Sequence, residues 1–241
     1  MSRTVAFNGK YGPLVNYARK ILNRSSMCIL CDDDGIEGKD ICKFCFQQLL
    51  RNKQSCYQCG YPLKSKRLSP LCGTCLSNPP DFNTTHAPFI YQGAIGYLIT
   101  QLKFNQTYKN ARLLGQIFAD SLTKTSLPQC IIPVPLHKKR YRQRGFNQSL
   151  EIAKTVGKQL HIPIESKLCI RHRNTPHQIG LPKHKRHENV KNAFSLVKQI
   201  NYTHIAILDD VMTTGSTLRE ITRIFKKAGV STIELWVCAR A

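Results

Sequence analysis

The chain has 241 residues, enough for one sizeable hydrophobic core and a small satellite. Apolar residues make up 41%, which argues against intrinsic disorder, and no apolar run reaches the length of a membrane span. Lys and Arg number 36 against 14 Asp and Glu, a formal net charge of +22, so a polyanion is the expected partner: nucleic acid, a phosphorylated metabolite or an anionic membrane face. Generic solubility is the competing explanation. The clustering of charge argues against it, because Asp32, Asp33, Asp34, Glu37 and Asp40 crowd into one loop and leave the rest of the chain still more basic. The first residues, MSRTVAFNGKYGPL, lack the apolar core of a signal peptide, so a cytoplasmic location is expected.

Within residues 1–25, the stretch 14–22 places Leu14, Tyr17, Ala18, Ile21 and Leu22 on one helical face. A basic amphipathic helix suits peripheral contact with a membrane. One this short equally suits packing on its own protein.

Residues 26–78 carry four regular pairs: Cys28-x-x-Cys31, Cys42-x-x-Cys45, Cys56-x-x-Cys59 and Cys72-x-x-Cys75. Zinc takes four soft ligands in a tetrahedron, and a Cys-x-x-Cys turn presents two sulfurs to one ion. Four turns therefore make two sites, each closed by thiolates, so two structural zinc ions are expected. Sequential pairing closes each ribbon locally, and interleaved pairing stays open at this point. Gly60 follows one pair directly, where knuckle geometry calls for an unusual backbone angle. Cys130, Cys169 and Cys238 lie in apolar contexts and are expected to pack.

At Asn78-Pro79-Pro80-Asp81 the composition changes, and a second domain is read over 81–241. It alternates strands at 89–91, 130–134, 204–208 and 232–237 with helices at 94–104, 110–123, 147–160 and 216–229. Continuous apolar strands alternating with helices predict an α/β fold, a parallel sheet covered on both faces.

The segment Lys138-Lys139-Arg140-Tyr141-Arg142-Gln143-Arg144-Gly145-Phe146 reads as a basic loop. Lys138, Lys139, Arg140, Arg142 and Arg144 would meet phosphates, and Tyr141 and Phe146 would stack on bases of single-stranded DNA. A second basic stretch, 171–194, reads as a long mobile loop.

After the apolar strand 204–208 come Asp209 and Asp210, then Val211, Met212, Thr213, Thr214, Gly215, Ser216 and Thr217 at the start of a helix. Small residues let backbone N–H groups approach an anion, and a helix N-terminus adds a favourable dipole. Two carboxylates beside a phosphate need mediation by ribose hydroxyls or hydrated magnesium. As solvated groups they are expected to contribute little to stability.

Asp209-Asp210-Val211-x-Thr213-Thr214-Gly215-x-Thr217 resembles the PRPP-binding motif of type I phosphoribosyltransferases. Pro133-Val134-Pro135-Leu136-His137, Arg142-x-Arg144-Gly145-Phe146-Asn147-Gln148, the stretch from Arg171 to Gln178 and Asn189-Val190-x-x-Ala193-Phe194, behind four cysteine pairs, resemble the ComF competence family. The resemblance implies a type I phosphoribosyltransferase fold behind a double zinc ribbon, with PRPP and magnesium held by Asp209, Asp210 and Val211, Thr213, Thr214, Gly215, Ser216 and Thr217. It places Lys103 in the pyrophosphate loop and Arg173 in a flexible loop over the active site, both as candidate catalytic groups beside the acidic pair. It implies handling of the incoming single DNA strand in natural transformation. A working phosphoribosyltransferase of unspecified acceptor, and a module docking a helicase or uptake-channel protein, are the alternatives.

Overall fold

A computed structural model describes residues 26–36, 38–63, 69–105, 107–123, 126–174 and 190–241. The helix expected at 14–22, and most of the loop expected at 171–194, lie outside the described residues. The chain forms two compact units, Met1–Gln48 and Leu49–Ala241.

In the first unit a tight hairpin pairs Met27 with Asp34 in antiparallel fashion. Asp32 takes a positive φ of 62° directly after Cys31, a conformation that Asp and Asn tolerate better than most residues. Cys42 then caps a short helix, α1 (Lys43–Gln47), its sulfur accepting from the Cys45 N–H at 3.4 Å. The second unit opens with the same construction. Ser55 pairs with Pro62, Gly60 after Cys59 has φ +66°, and Cys72 precedes α2 (Gly73–Ser77). The two ribbons are thus an internal repeat in backbone as well as in sequence.

The second ribbon belongs to the same compact unit as the α/β domain. Cys56, Cys59, Cys72 and Cys75 lie in one apolar cluster with Phe82, Ala87, Ile233, Leu235 and Val237. Gly60 rests so close to the sheet that a Cβ there would come within 3.1 Å of both Ala87 and Thr85.

The sheet contains β1 (Thr84–His86), β2 (Phe89–Ile90), β3 (Cys130–Pro133), β6 (His204–Met212) and β7 (Thr232–Arg240). Its order is β1-β7-β6-β3, with β2 adding to β7 beyond β1, and every pairing is parallel. This agrees with the parallel α/β sheet read from the sequence. Alternation of side chains gives the sheet two different faces. Cys130, Ile132, Ile205, Ile207, Ile233 and Leu235 share one apolar cluster with Leu218, Ile221 and Phe225 of α7 (Ser216–Lys227). On the other face Trp236 meets Phe118 of α4 (Tyr108–Asp120), ring centroids 5.7 Å apart.

Helices α3 (Gly93–Asn105) and α4 lie between β2 and β3, and α5 (Lys138–Arg144) and α6 (Gln148–Leu160) follow β3. α4 and α6 approach closely at Gly115, where a Cβ would sit 2.6 Å from that of Thr155. A separate antiparallel pair, β4 (Cys169–Arg171) with β5 (Phe194–Leu196), holds the two ends of the 171–194 stretch together.

Two expectations change here. The basic run 138–144 is a helix, not a loop, because His137 accepts from the Lys139 N–H at its start and Gly145, at φ +77°, ends it. The last strand runs past Val237 to Arg240.

Candidate functional site

The eight knuckle cysteines form two sets, Cys28, Cys31, Cys42 and Cys45, and Cys56, Cys59, Cys72 and Cys75, with the sulfurs of each set within 4.8 Å of one another. The pairing is sequential. Sulfur–sulfur distances are 3.6 Å for Cys31–Cys42, 3.5 Å for Cys31–Cys45 and 3.6 Å for Cys59–Cys72. A tetrahedron of sulfurs around zinc, with bonds of about 2.3 Å, has edges of roughly 3.8 Å, so the residues fit the metal. Burial, followed by hydrogen bonds to neighbouring thiols, raises Cys45 and Cys75 above the ordinary thiol range. Metal binding there must therefore release protons. Burial likewise holds Cys130 and Cys169 as neutral thiols, pushed up to about 12, which agrees with a packing role.

A cavity of about 360 Å³ lies at the end of β6. The strand delivers Asp209 and Asp210 to its floor, and the loop 211–217 and the start of α7 form one wall. Gly215 caps α7 with φ +77°, and the Thr214 hydroxyl bonds that of Ser216 at 2.9 Å. Val211, Thr213, Gly215, Ser216 and Thr217 all line the cavity.

Asp210 is not solvated as expected, and Asp209 is half-buried. Asp210 is 3% exposed, and its Oδ2 lies 2.7 Å from Nζ of Lys103 near the end of α3. Burial alone would lower the Lys103 pKa, but the Asp210 carboxylate outweighs it and the net shift is upward. Asp209 Oδ1 accepts from the Ser149 hydroxyl at 2.8 Å and from the Asp210 N–H at 2.9 Å. Burial first, and then the Asp210 charge, still push Asp209 up to about 7. The reason is topological: α3 and the first turn of α6 close over the strand end.

α5 divides its charges between two faces. Arg140 and Arg144, one turn apart, line the cavity, whereas Lys138, Lys139 and Arg142 border an outer surface with His137 and Gln143. Burial, and then repulsion from Arg144, lowers Arg140; burial lowers Arg144 against the pull of Asp210. Arg171, at the end of β4, also lines the cavity, and burial followed by repulsion from Arg140 brings it down to about 10. Tyr141 is half exposed, so its ring is available. Phe146 is not: it is 2% exposed and packs against Tyr108 with centroids 5.4 Å apart. The expectation that Phe146 stacks on DNA is corrected, because the Gly145 turn folds the ring into the core rather than outward.

Lys103, Asp209, Asp210, Val211, Thr213, Gly215, Ser216 and Thr217 are thus brought together, joined by Arg140 and Arg144, whereas Thr214 does not line the cavity and bonds Ser216 instead. Arg173 is not among them. It is exposed, its guanidinium bonded to the Lys191 carbonyl, and Arg171 two residues earlier takes the place at the cavity. Sequence reasoning missed Ser149 and Arg171 as lining groups. The period-2 alternation of β4 could have found Arg171, and Ser149 follows directly on the Asn147-Gln148 helix start.

A family model described as the double zinc ribbon domain matches residues 22–76. DNA utilization protein YhgH of Escherichia coli is 35% identical over 206 residues, 83% of this chain and 90% of that protein. Competence protein F of Haemophilus influenzae is 34% identical over 224 residues, 89% of this chain and 96% of that protein. Among solved structures, a glutamine PRPP amidotransferase from B. subtilis aligns with TM-score 0.36 and 18% identity, over 53% of this chain and 25% of its own, a likeness too partial to carry an argument. With a relative above 30% identity aligned over most of both chains, and a double zinc ribbon in front of a parallel α/β domain, the chain belongs to the ComF family of competence proteins.

Proposed function

We propose that this chain binds PRPP with magnesium at the end of β6 and handles incoming single-stranded DNA on the cytoplasmic side of the membrane in natural transformation. One observation carries the reading: four cations, Lys103, Arg140, Arg144 and Arg171, surround two carboxylates in a cavity whose wall is a small-residue loop opening a helix. That surplus suits a ligand with several phosphates. The loop N–H groups and the Thr213, Ser216 and Thr217 hydroxyls would hold the 5′-phosphate, and the acidic pair the ribose hydroxyls. The carboxylate oxygens also fit a hydrated magnesium ion, with Asp209 facing it, since Asp210 is committed to Lys103. When bound, the ion would neutralise pyrophosphate charge. The outer face of α5, with Lys138, Lys139, Tyr141 and Arg142 exposed, suits a phosphate backbone and a stacked base. The zinc ribbons are proposed to dock a helicase or uptake-channel protein.

A second reading, phosphoribosyl transfer to an acceptor, is favoured by a neighbouring cavity of about 440 Å³ that shares Pro135, Leu136 and Arg171 with the first. The test is a titration of PRPP with magnesium, and of a DNA oligonucleotide across a salt series, on one zinc-loaded preparation. Asp209→Asn should abolish PRPP binding and leave DNA binding intact. Lys138→Ala with Arg142→Ala should reduce the DNA salt slope by roughly 0.7 per lost contact and leave PRPP binding intact. Unchanged PRPP affinity in the first variant removes the ligand from this cavity, and an unchanged DNA isotherm in the second removes DNA from this face.

A further inference from the structure

Arg240, at the end of β7, is buried, 6% exposed, and does not line the cavity. Its side chain nevertheless joins two parts of the unit that are far apart in sequence. Nε donates to the carbonyl of Cys59, in the second metal knuckle, at 3.2 Å. Nη1 faces the carbonyls of Met212 at 2.8 Å and Thr213 at 2.5 Å, in the loop that follows the acidic pair, and shares its two hydrogens among these and the Ala241 carbonyl. The Tyr61 ring, two residues after Cys59, lies 5.4 Å from Cζ.

The consequence for the loop follows from peptide geometry. In a planar trans peptide the C=O and the next residue's N–H point in opposite directions. The Met212 and Thr213 carbonyls are turned onto Arg240, so the N–H groups of Thr213 and Thr214 are turned away from it. Thr213 lines the cavity. The Met212 carbonyl also accepts from the Ala241 N–H at 3.1 Å, so the guanidinium acts there together with the end of the sheet, whereas at the Thr213 carbonyl it acts beyond the sheet pairing; it places a positive charge behind both donors. Its other anchor is a carbonyl within a Cys-x-x-Cys turn, whose shape depends on all four sulfurs being drawn to one centre.

We propose that Arg240 is a positioning residue for the anion-binding loop, and that it makes the loop's grip on a phosphate depend on an intact Cys56, Cys59, Cys72 and Cys75 cluster. This rests on the reading of that loop as a phosphate site. Zinc occupancy of the second ribbon is then part of the phosphate site's construction rather than a separate matter of folding.

The experiment compares wild type, Arg240→Lys, Arg240→Met and Cys59→Ser by PRPP titration with magnesium and by amide hydrogen exchange at Thr213 and Thr214. Arg240→Met should weaken PRPP at least about tenfold, because small misplacements of binding groups are costly. Arg240→Lys, which keeps the charge and reaches fewer carbonyls, should lose less. Exchange at Thr213 and Thr214 should accelerate in all three variants. Asp209→Asn serves as the contrast: it should lose PRPP while leaving exchange at these two amides unchanged. If wild type does not bind PRPP, the reading of the site fails, while accelerated exchange in the Arg240 variants still upholds the positioning role. Folded Arg240→Lys and Arg240→Met proteins with wild-type exchange at both amides overturn the inference. So does wild-type exchange in a folded Cys59→Ser protein that has lost its metal.

Discussion

Replacing Lys103 with Met removes the cation in direct contact with Asp210 among the described residues while preserving most of the side-chain volume. The pair is well buried, with side-chain exposures of 20% and 5% at a separation of 2.7 Å. Breaking a buried pair from one side costs about 3–5 kcal/mol, because the surviving charge is left uncompensated. Arg144 also acts on Asp210, so the low end, about 3 kcal/mol, is the expected cost. For a chain of this size each kcal/mol moves the melting temperature by about 2–4 °C, so a drop of roughly 6–12 °C should appear at about pH 8 by calorimetry or circular dichroism. The drop must also depend on pH. Asp209 already sits at about 7, and Lys103 is among the groups that hold it down, so without Lys103 it gains a proton still more readily in the folded state than in the unfolded chain. A carboxylate raised in the folded state costs stability above its folded pKa, and the cost fades as pH falls toward the unfolded value of about 4. The variant should therefore lose several degrees less at about pH 5 than at about pH 8. A melting temperature within about 2 °C of wild type at the higher pH would refute the argument, since the pair would then be no better than a surface contact.

Metal analysis of protein purified without chelator should give two zinc ions per chain, one for each four-cysteine set, with a pH-stat registering proton release on reloading; folded ribbons with no metal would refute both metal-site assignments. Phe146→Ala should destabilise the fold by about 3–5 kcal/mol as a large-to-small core change while the folded fraction keeps its DNA affinity, measured by anisotropy at a temperature well below melting. Loss of DNA affinity at full stability would return that ring to the surface.

Much of this architecture was legible because its signals are local. Two Cys-x-x-Cys turns in register announce a metal site from spacing alone, and the backbone repeat at Asp32 and Gly60 follows the same register. The strand, acidic pair and hydroxyl loop are contiguous in sequence, so their placement at a strand end could be read directly. What could not be read depends on pairings between distant segments. Lys103 and Asp210 meet only because α3 and β6 end at the same place, which turned an Asp210 expected to be solvated into a buried group. The 138–144 run suggests a loop by its density of like charge. Lys, Arg and Gln are nevertheless good helix formers, and His137 and Gly145 supply its two ends. Once that run is a helix, its arginines must separate by face, and the phenylalanine after its cap must turn inward.

The electrostatics of the cavity explain why both signs of charge are present. Arg140 is opposed by Arg144, and Arg171 by Arg140, so without a ligand the site holds its cations against their own repulsion and against burial. A bound polyanion relieves that repulsion, so ligand should raise stability by mass action. Cations alone would accept any phosphate. Asp209 and Asp210 oppose a bare anion at the same floor, and only a ligand that brings hydroxyl donors or a metal ion to the carboxylates escapes that repulsion. Lys103 is shared between the two roles, since its charge is largely taken up by Asp210. On the proposed reading of the cavity, selectivity for a sugar phosphate over a simple phosphate would follow from keeping two acids where the charge balance would otherwise be purely positive.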